Sequence, residues 1–86
     1  MPAISRFLGI TIWMYHNDHA PPHFHATYGD DEAQVDIETV ARIEGRLPPR
    51  VMGLVLEWAG RHIDELRTNW ELARDGQPVR RIAPLE

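Results

Sequence analysis

The stretch HFHATYGDDEAQVDIE, residues 23–38, carries the strongest fold signal in the chain. Apolar and polar residues alternate on both sides of residues 29–32, a period of two that is typical of strands joined by a turn. A slip of one residue would bury the polar set, so cross-strand partners must lie on one face. We therefore predict a hairpin whose core-face pairs are Tyr28 with Ala33, Ala26 with Val35 and Phe24 with Ile37.

The other face of this hairpin is polar. Directly opposed residues in an antiparallel pair have Cβ atoms about 4.5–5.5 Å apart. The predicted pairs on this face are Thr27 with Gln34, His25 with Asp36 and His23 with Glu38. Each strand histidine is thus expected to face a carboxylate.

A further strand is predicted upstream, from about Gly9 to His16, where apolar β-branched and aromatic residues alternate. Residues 17–22 form a loop, because Asn17 and Asp18 favour turns and two prolines remove backbone donors. Downstream, residues 42–46 resemble a shorter fourth strand that follows a turn near residues 39–41.

The C-terminal half has helical periodicity. Apolar residues recur at helical spacing from Pro49 to Asp75, and Gly76 with Pro78 supplies a stop. A straight helix of this length would measure about 40 Å, longer than so small a domain is wide, so we expect a bend near Gly60. His62 falls on the apolar stripe as a packing histidine, and residues 80–82 form a short extended tail.

These elements define the predicted fold class. Residues 1–86 form a single α+β domain, in which an antiparallel sheet of three or four strands packs against one long or bent C-terminal helix. With 43% hydrophobic and 26% charged residues, the composition is that of an ordinary globular protein.

Composition also limits the function. The chain has no cysteine, so a metal would need nitrogen and oxygen ligands. The net charge of −4 disfavours broad nucleic-acid binding, although arginines gather near the C-terminus. The longest apolar stretch, residues 8–15, is far short of a membrane span, and the N-terminus lacks the pattern of a secretory signal. We therefore expect a cytoplasmic protein without a membrane segment.

A histidine cluster is the sharpest functional feature. Four histidines fall within ten positions, and folding the first two predicted strands side by side brings them to one end of the sheet. Imidazole nitrogens at alternate strand positions can converge on one ion, and a cross-strand carboxylate can add oxygen. Zinc, nickel, manganese or iron suits such donors. The predicted metal set is His16, His19, His23, His25, Asp36 and Glu38.

Two other interpretations of the cluster stay open. His23 and His25 could be the base and acid of metal-free catalysis, as in small ribonucleases, with Tyr15, Arg6 or Arg42 nearby. Alternatively, the histidines have a purely structural role and form hydrogen bonds around the loop. In this interpretation Asn17 and Asp18 satisfy backbone amides and the prolines stiffen the turn.

The motif NDHAPPHFH stands at residues 17–25 and is specific in its order and spacing. Four further distinctive blocks are Pro2–Phe7, Asp36–Thr39, Leu54–Trp58 and Asn69–Ala73. With these blocks, nearly the whole chain resembles a family of small bacterial proteins, domain of unknown function 4160. Members of this family look like components of small two-gene modules of the toxin–antitoxin kind, so the resemblance implies a protein partner.

Together these observations predict an intracellular interaction or regulatory module, one component of a toxin–antitoxin-like pair, with a histidine site that binds metal. The competing prediction is a small enzyme, either a metal-dependent hydrolase or a metal-free ribonuclease. Trp13, Trp58 and Trp70 suggest core or partner contacts, and in so thin a core an exposed tryptophan face would favour a homodimer or a protein partner.

Overall fold

The computed structural model describes residues 3–16 and 18–86, and its described part contains five strands followed by two helices. The α+β class is confirmed, whereas the expected three or four strands become five and the single helix becomes two. The elements are β1 Ala3–Phe7, β2 Ile10–Trp13, β3 His23–Tyr28, β4 Asp31–Asp36, β5 Ala41–Arg46, α1 Pro49–Arg61 and α2 Ile63–Arg74.

The strands form one antiparallel meander in the order β1-β2-β3-β4-β5. Strand β1 was missed because a bulge between Ala3 and Ser5 interrupts its period, so that Ile4 and Ser5 are both buried. The turn that joins β1 to β2 consists of Leu8 and Gly9. Leu8 has a φ of 52°, a position at which asparagine is the residue that usually signals a turn, so the sequence did not reveal the hairpin. Strand β2 ends at Trp13, earlier than the predicted His16.

The predicted hairpin exists, but its register is wrong by two residues. Strand β3 pairs with β4 so that His23 is opposite Asp36 and His25 is opposite Gln34. The predicted faces are preserved, because a shift of two leaves every side chain on its side. The cause is the turn: Gly29, at φ 58°, and Asp30 close the hairpin alone, and Asp31 and Glu32 belong to β4.

Strand β5 confirms the predicted fourth strand. It lies at the edge of the sheet, and all six of its residues are exposed. A bulge separates the pairs Gln34–Glu44 and Val35–Arg42. Gly45 is required at its position in β5, because its φ is 79° and a Cβ atom there would overlap the Glu32 carbonyl oxygen.

The predicted bend lies at His62, two residues beyond Gly60, where the chain leaves α1 and starts α2. Two shorter helices fit a domain measuring 33 × 25 × 23 Å. Of the two kinds of contact predicted for the tryptophans, core contact is confirmed for Trp58 and Trp70, which are buried in the core. Trp58 packs on Phe24 of β3 with ring centroids 5.7 Å apart, so the helix pair covers the apolar face of the sheet.

The C-terminal tail is held by buried polar contacts rather than by a regular strand. The Ile82 amide donates to the Ile4 carbonyl of β1 at 2.8 Å, and the Trp58 indole donates to the Ala83 carbonyl at 2.8 Å. Neither helix in the described ranges has the length and apolar character needed to cross a bilayer.

Candidate metal site

The loop between β2 and β3 brings a carboxylate over the beginning of β3. The Pro22 carbonyl accepts a hydrogen bond from the Ile37 amide at 3.0 Å, which ties the end of the loop to the end of β4. Asp18 lies in this loop and directs its Oδ2 atom towards the two histidines of β3. Asn17, which the sequence assigns to the same loop, lies outside the described residues.

His23 is the most deeply buried member of the group, with a side chain that is 1% exposed. Its Nδ1 lies 2.7 Å from the Pro21 carbonyl oxygen, and because a carbonyl only accepts, the shared proton belongs to Nδ1. Its ring also packs on Trp70 of α2 at 5.3 Å, which fixes its plane. The remaining nitrogen, Nε2, therefore has a fixed direction.

The Nε2 atom of His23 lies 3.0 Å from Asp18 Oδ2, yet it makes no hydrogen bond to any residue that the structure describes. The two facts agree, because the distance is short but the direction is unsuitable for donation. A buried nitrogen beside a carboxylate oxygen without a hydrogen bond needs an explanation. One explanation is a cation that binds both His23 Nε2 and Asp18 Oδ2.

His25 faces a carboxylate through each ring nitrogen. Nδ1 lies 3.0 Å from Glu32 Oε2, and Nε2 lies 3.1 Å from Asp18 Oδ2. Since carboxylates accept only, both contacts require a proton on each nitrogen, or a metal ion in place of the proton on Nε2. The Tyr15 ring packs edge-on against the His25 ring, with the ring centroids 4.3 Å apart.

The electrostatics of the group favour an ionised Asp18. Burial acts to raise its pKa, but the hydrogen bond from His25, the His19 amide at 2.9 Å and the two nearby imidazoles outweigh burial. The pKa of Asp18 consequently lies below its ordinary value of 3.8. Burial and the charges of Glu32 and Asp18 raise the pKa of Tyr15 above 10.0, so this phenol stays protonated at neutral pH.

Asp18, His23 and His25 could together hold a metal ion, since one ligand atom from each lies within 4.8 Å of the others. The distances from Asp18 Oδ2 to the two Nε2 atoms, 3.0 and 3.1 Å, are near the separation of about 3.3 Å between two ligands of a tetrahedral zinc ion. We call these three residues the Asp18 cluster.

The structure places the other predicted ligands outside the Asp18 cluster. His16 is exposed in the turn after β2, and Asp36 accepts the amides of Glu38 and Thr39 in the turn after β4. Glu38 itself forms a two-pronged ion pair with Arg67 of α2, with a shortest distance of 2.7 Å. The predicted pairs His25–Asp36 and His23–Glu38 are therefore wrong.

His19 is close to the Asp18 cluster without belonging to it. Its side chain is 84% exposed, and its Nε2 lies 3.9 Å from Asp18 Oδ1. His62 is a half-buried packing residue, as predicted: it contacts Trp58 at 5.4 Å and Glu65 Oε1 at 2.6 Å. Of the side chains proposed to assist acid–base catalysis, Tyr15 contacts His25, whereas Arg42 donates to the Gly45 carbonyl within β5.

Sequence reasoning missed the two carboxylates that matter most. Asp18 was considered only as a loop cap, a role that its Oδ1 atom does have towards the His19 amide. Glu32 was assigned to the turn because the hairpin register was wrong. The sequence did contain one signal for Asp18, namely its position within a segment that holds four histidines.

Comparison with known families identifies the family of the chain and leaves its chemistry open. The family model described as Domain of unknown function (DUF4160) matches residues 9–71. The chain therefore belongs to this family, and the match includes the whole Asp18 cluster and Glu32. No match was found among curated proteins or among solved structures.

Proposed function

We propose that this protein is a divalent-metal-binding domain whose ion is held by Asp18, His23 and His25. The observation that carries the proposal is the orientation of the two rings. Each Nδ1 is occupied by an oxygen acceptor, Pro21 for one ring and Glu32 for the other, and each Nε2 faces the same carboxylate oxygen. Histidines that bind metals are commonly oriented in this way, by a carbonyl or carboxylate on the far nitrogen.

The types of ligand atom in the Asp18 cluster indicate which metals it could bind. Two imidazoles and one carboxylate occur in catalytic zinc sites and in the facial triad of non-haem iron. Zinc, nickel, manganese and iron therefore remain candidates, and three protein ligands leave at least one position open. That open position supports a role in which the ion meets a ligand from outside the chain.

The cellular role that we propose is an intracellular interaction or regulatory module, one component of a toxin–antitoxin-like pair with a protein partner. The toxin–antitoxin-like role and the protein partner rest on the family resemblance. The intracellular location rests on the absence of cysteine in the sequence. The exposed edge strand β5 is a surface that a partner could extend. Recovery of a stoichiometric partner from the native host would test it, and a chain that is recovered alone would count against it.

A metal-dependent hydrolase is the second candidate, because the open coordination position is of the kind that activates water. The metal-free ribonuclease is less well supported. A base and an acid must reach the substrate, but the side chains of His23 and His25 are 1% and 10% exposed.

Metal analysis of the untagged full chain tests the proposal. We expect close to one equivalent of a transition metal after dialysis against trace metal, and a rise in melting temperature on loading. His25→Gln should abolish both effects. His62→Gln is the matched control, since His62 also pairs with a carboxylate but lies outside the cluster.

Two results would contradict metal binding. One is less than about a tenth of an equivalent of every transition metal, together with an unchanged melting temperature. The other is equal metal content in the His25→Gln and His62→Gln variants, which would place the ion elsewhere. Circular dichroism of both variants shows whether each is folded before its metal content is compared.

A further inference from the structure

A cleft of about 410 Å³ opens beside the Asp18 cluster. It lies between the β2–β3 loop and the end of α2, and its lining combines apolar, acidic and basic groups. The lining residues are Asp18, Ala20, Pro22, Trp70 and Arg74. Two of them also belong to the surroundings of the metal site: Asp18 is a ligand, and Trp70 packs on the ring of His23.

Arg74 is the cationic group of this cleft. It lies in the last turn of α2, and its side chain is 58% exposed. Its nearest carboxylate is Glu71, with Nη1 and Oε2 3.7 Å apart, which is too long for a hydrogen bond. By contrast, Arg67, two turns earlier on the same side of α2, is fully engaged with Glu38. The guanidinium of Arg74 is therefore available to a ligand.

We propose that the cleft binds a small molecule with a carboxylate or phosphate group, and that it does so only when the Asp18 cluster holds a divalent cation. This inference rests on the proposed function. One oxygen of the ligand occupies the open position of the ion, and the guanidinium of Arg74 binds the rest of the oxyanion. A planar guanidinium is well matched to both kinds of oxyanion.

The dependence on metal follows from charge. Without an ion, Asp18 Oδ2 pairs with Nε2 of His25 and the site offers an anion no additional positive charge. A divalent ion in place of the proton on that nitrogen makes the site more positive, so metal and anion should each strengthen the binding of the other by the same factor. Pro22 and the edge of Trp70 provide an apolar wall for the carbon part of the ligand.

Titration of the cobalt(II)-loaded full chain tests this proposal, because cobalt absorption reports a new ligand on the ion. The probes are acetate and methyl phosphate. We expect a saturable spectral change with at least one probe, and Arg74→Gln should weaken it at least about tenfold. Arg81→Gln is the matched control, an exposed arginine that lines a different pocket, and should bind within about twofold of wild type.

The outcomes separate the two claims. Saturation by acetate alone identifies a carboxylate ligand, and saturation by methyl phosphate alone identifies a phosphate; either supports the proposal. Cobalt binding without a response to either probe overturns it while leaving the proposed function intact. Equal affinity in wild type and Arg74→Gln overturns it as well. Failure to bind cobalt, zinc or any other transition metal removes the proposed function and this inference together.

Discussion

Among the buried polar side chains that the structure describes, Asn69 and His23 differ in whether the chain itself satisfies their hydrogen-bonding atoms. Asn69 of α2 is 1% exposed, and both ends of its amide bind the backbone of Arg80, each at 2.8 Å. At the Asp18 cluster, the Nε2 atom of the equally buried His23 makes no hydrogen bond to the described residues, although a carboxylate oxygen lies 3.0 Å away.

The difference shows how structural and ligand-binding polar groups can be told apart. Asn69 closes the fold by attaching the C-terminal tail to α2, and its amide nitrogen and amide oxygen both find their partners within the chain. The histidines of β3 are oriented by Pro21 and Glu32, but their second nitrogens converge on one oxygen. Substitutions at the two places should therefore affect different quantities, metal affinity at the Asp18 cluster and the free energy of unfolding at Asn69.

The largest effect is expected from Asp18→Asn. This change keeps the size of the side chain and the acceptor for the His19 amide but removes the charge of a direct ligand. Metal affinity should fall by more than about 100-fold, beyond the cost of losing an outer partner. Competition with a fluorescent chelator measures it.

The control for that variant is Asp36→Asn, at the carboxylate that sequence reasoning had assigned to the metal. Asp36 caps the turn after β4, so its substitution should leave metal affinity within about twofold of wild type. A larger loss in Asp36→Asn than in Asp18→Asn would overturn the site.

Asn69→Ala should lower the stability of the fold without changing metal affinity. It leaves the N–H and C=O groups of Arg80 without their partner, and we expect a loss of about 2 kcal/mol in the free energy of unfolding. Metal affinity should be unchanged. Urea denaturation measures the first quantity, with the exposed neighbour Thr68→Ala as a control that changes it by less than about 0.5 kcal/mol.

A more moderate effect is expected from Glu32→Gln. Glu32 contacts Nδ1 of His25 and is not itself a ligand of the Asp18 cluster. Loss of such an outer partner commonly costs about 10- to 100-fold in metal affinity. The same chelator competition applies, and Glu65→Gln beside His62 is the matched control. Equal affinities in both variants would mean that the carboxylate at His25 has no orienting role.

The smallest effect concerns the pair Glu38–Arg67. Hydrogen bonds from Arg67 hold the pKa of Glu38 below its ordinary value of 4.5. A carboxyl with a lowered pKa stabilises the fold above its unfolded pKa, and this contribution is lost as pH falls through the folded pKa. The stability difference between wild type and Glu38→Gln should therefore be present at pH 7 and disappear in more acidic solution.

Both groups are exposed, so the difference at pH 7 should be small. Denaturation at a series of pH values measures it, and metal affinity at pH 7 should not change in Glu38→Gln. A difference that grows on acidification would have the wrong sign and would contradict the pairing.

Periodicity predicted the faces of the hairpin but not its partners. The alternation in residues 23–38 reports parity, and a shift of two residues preserves parity while exchanging every pair. The choice between the registers was made by the turn, where Gly29 accepts a positive φ and allows a two-residue connection. Strand β1 was missed for a related reason, because its bulge breaks the alternation.

The candidate site was predictable in part. His23 and His25 were identified because alternate strand positions share a face. Asp18 was not, because its position depends on the path of a loop, and loop geometry has no periodic signature. Solvent exposure distinguishes the histidines of the Asp18 cluster from the other histidines of the motif, and no pattern in the sequence predicts it. His19 and His23 belong to one motif, yet their side chains are 84% and 1% exposed.

Metal binding by the Asp18 cluster can be read directly from the protonation and coordination state of each ring nitrogen, measured by long-range ¹H–¹⁵N correlation spectra before and after Zn²⁺ is added. We predict a proton on Nδ1 of His23 and His25 in the zinc-loaded protein, large shifts of their Nε2 resonances, and no change at His62. A proton on Nε2 of either ring in the loaded protein, or spectra that Zn²⁺ leaves unchanged, would contradict the central claim.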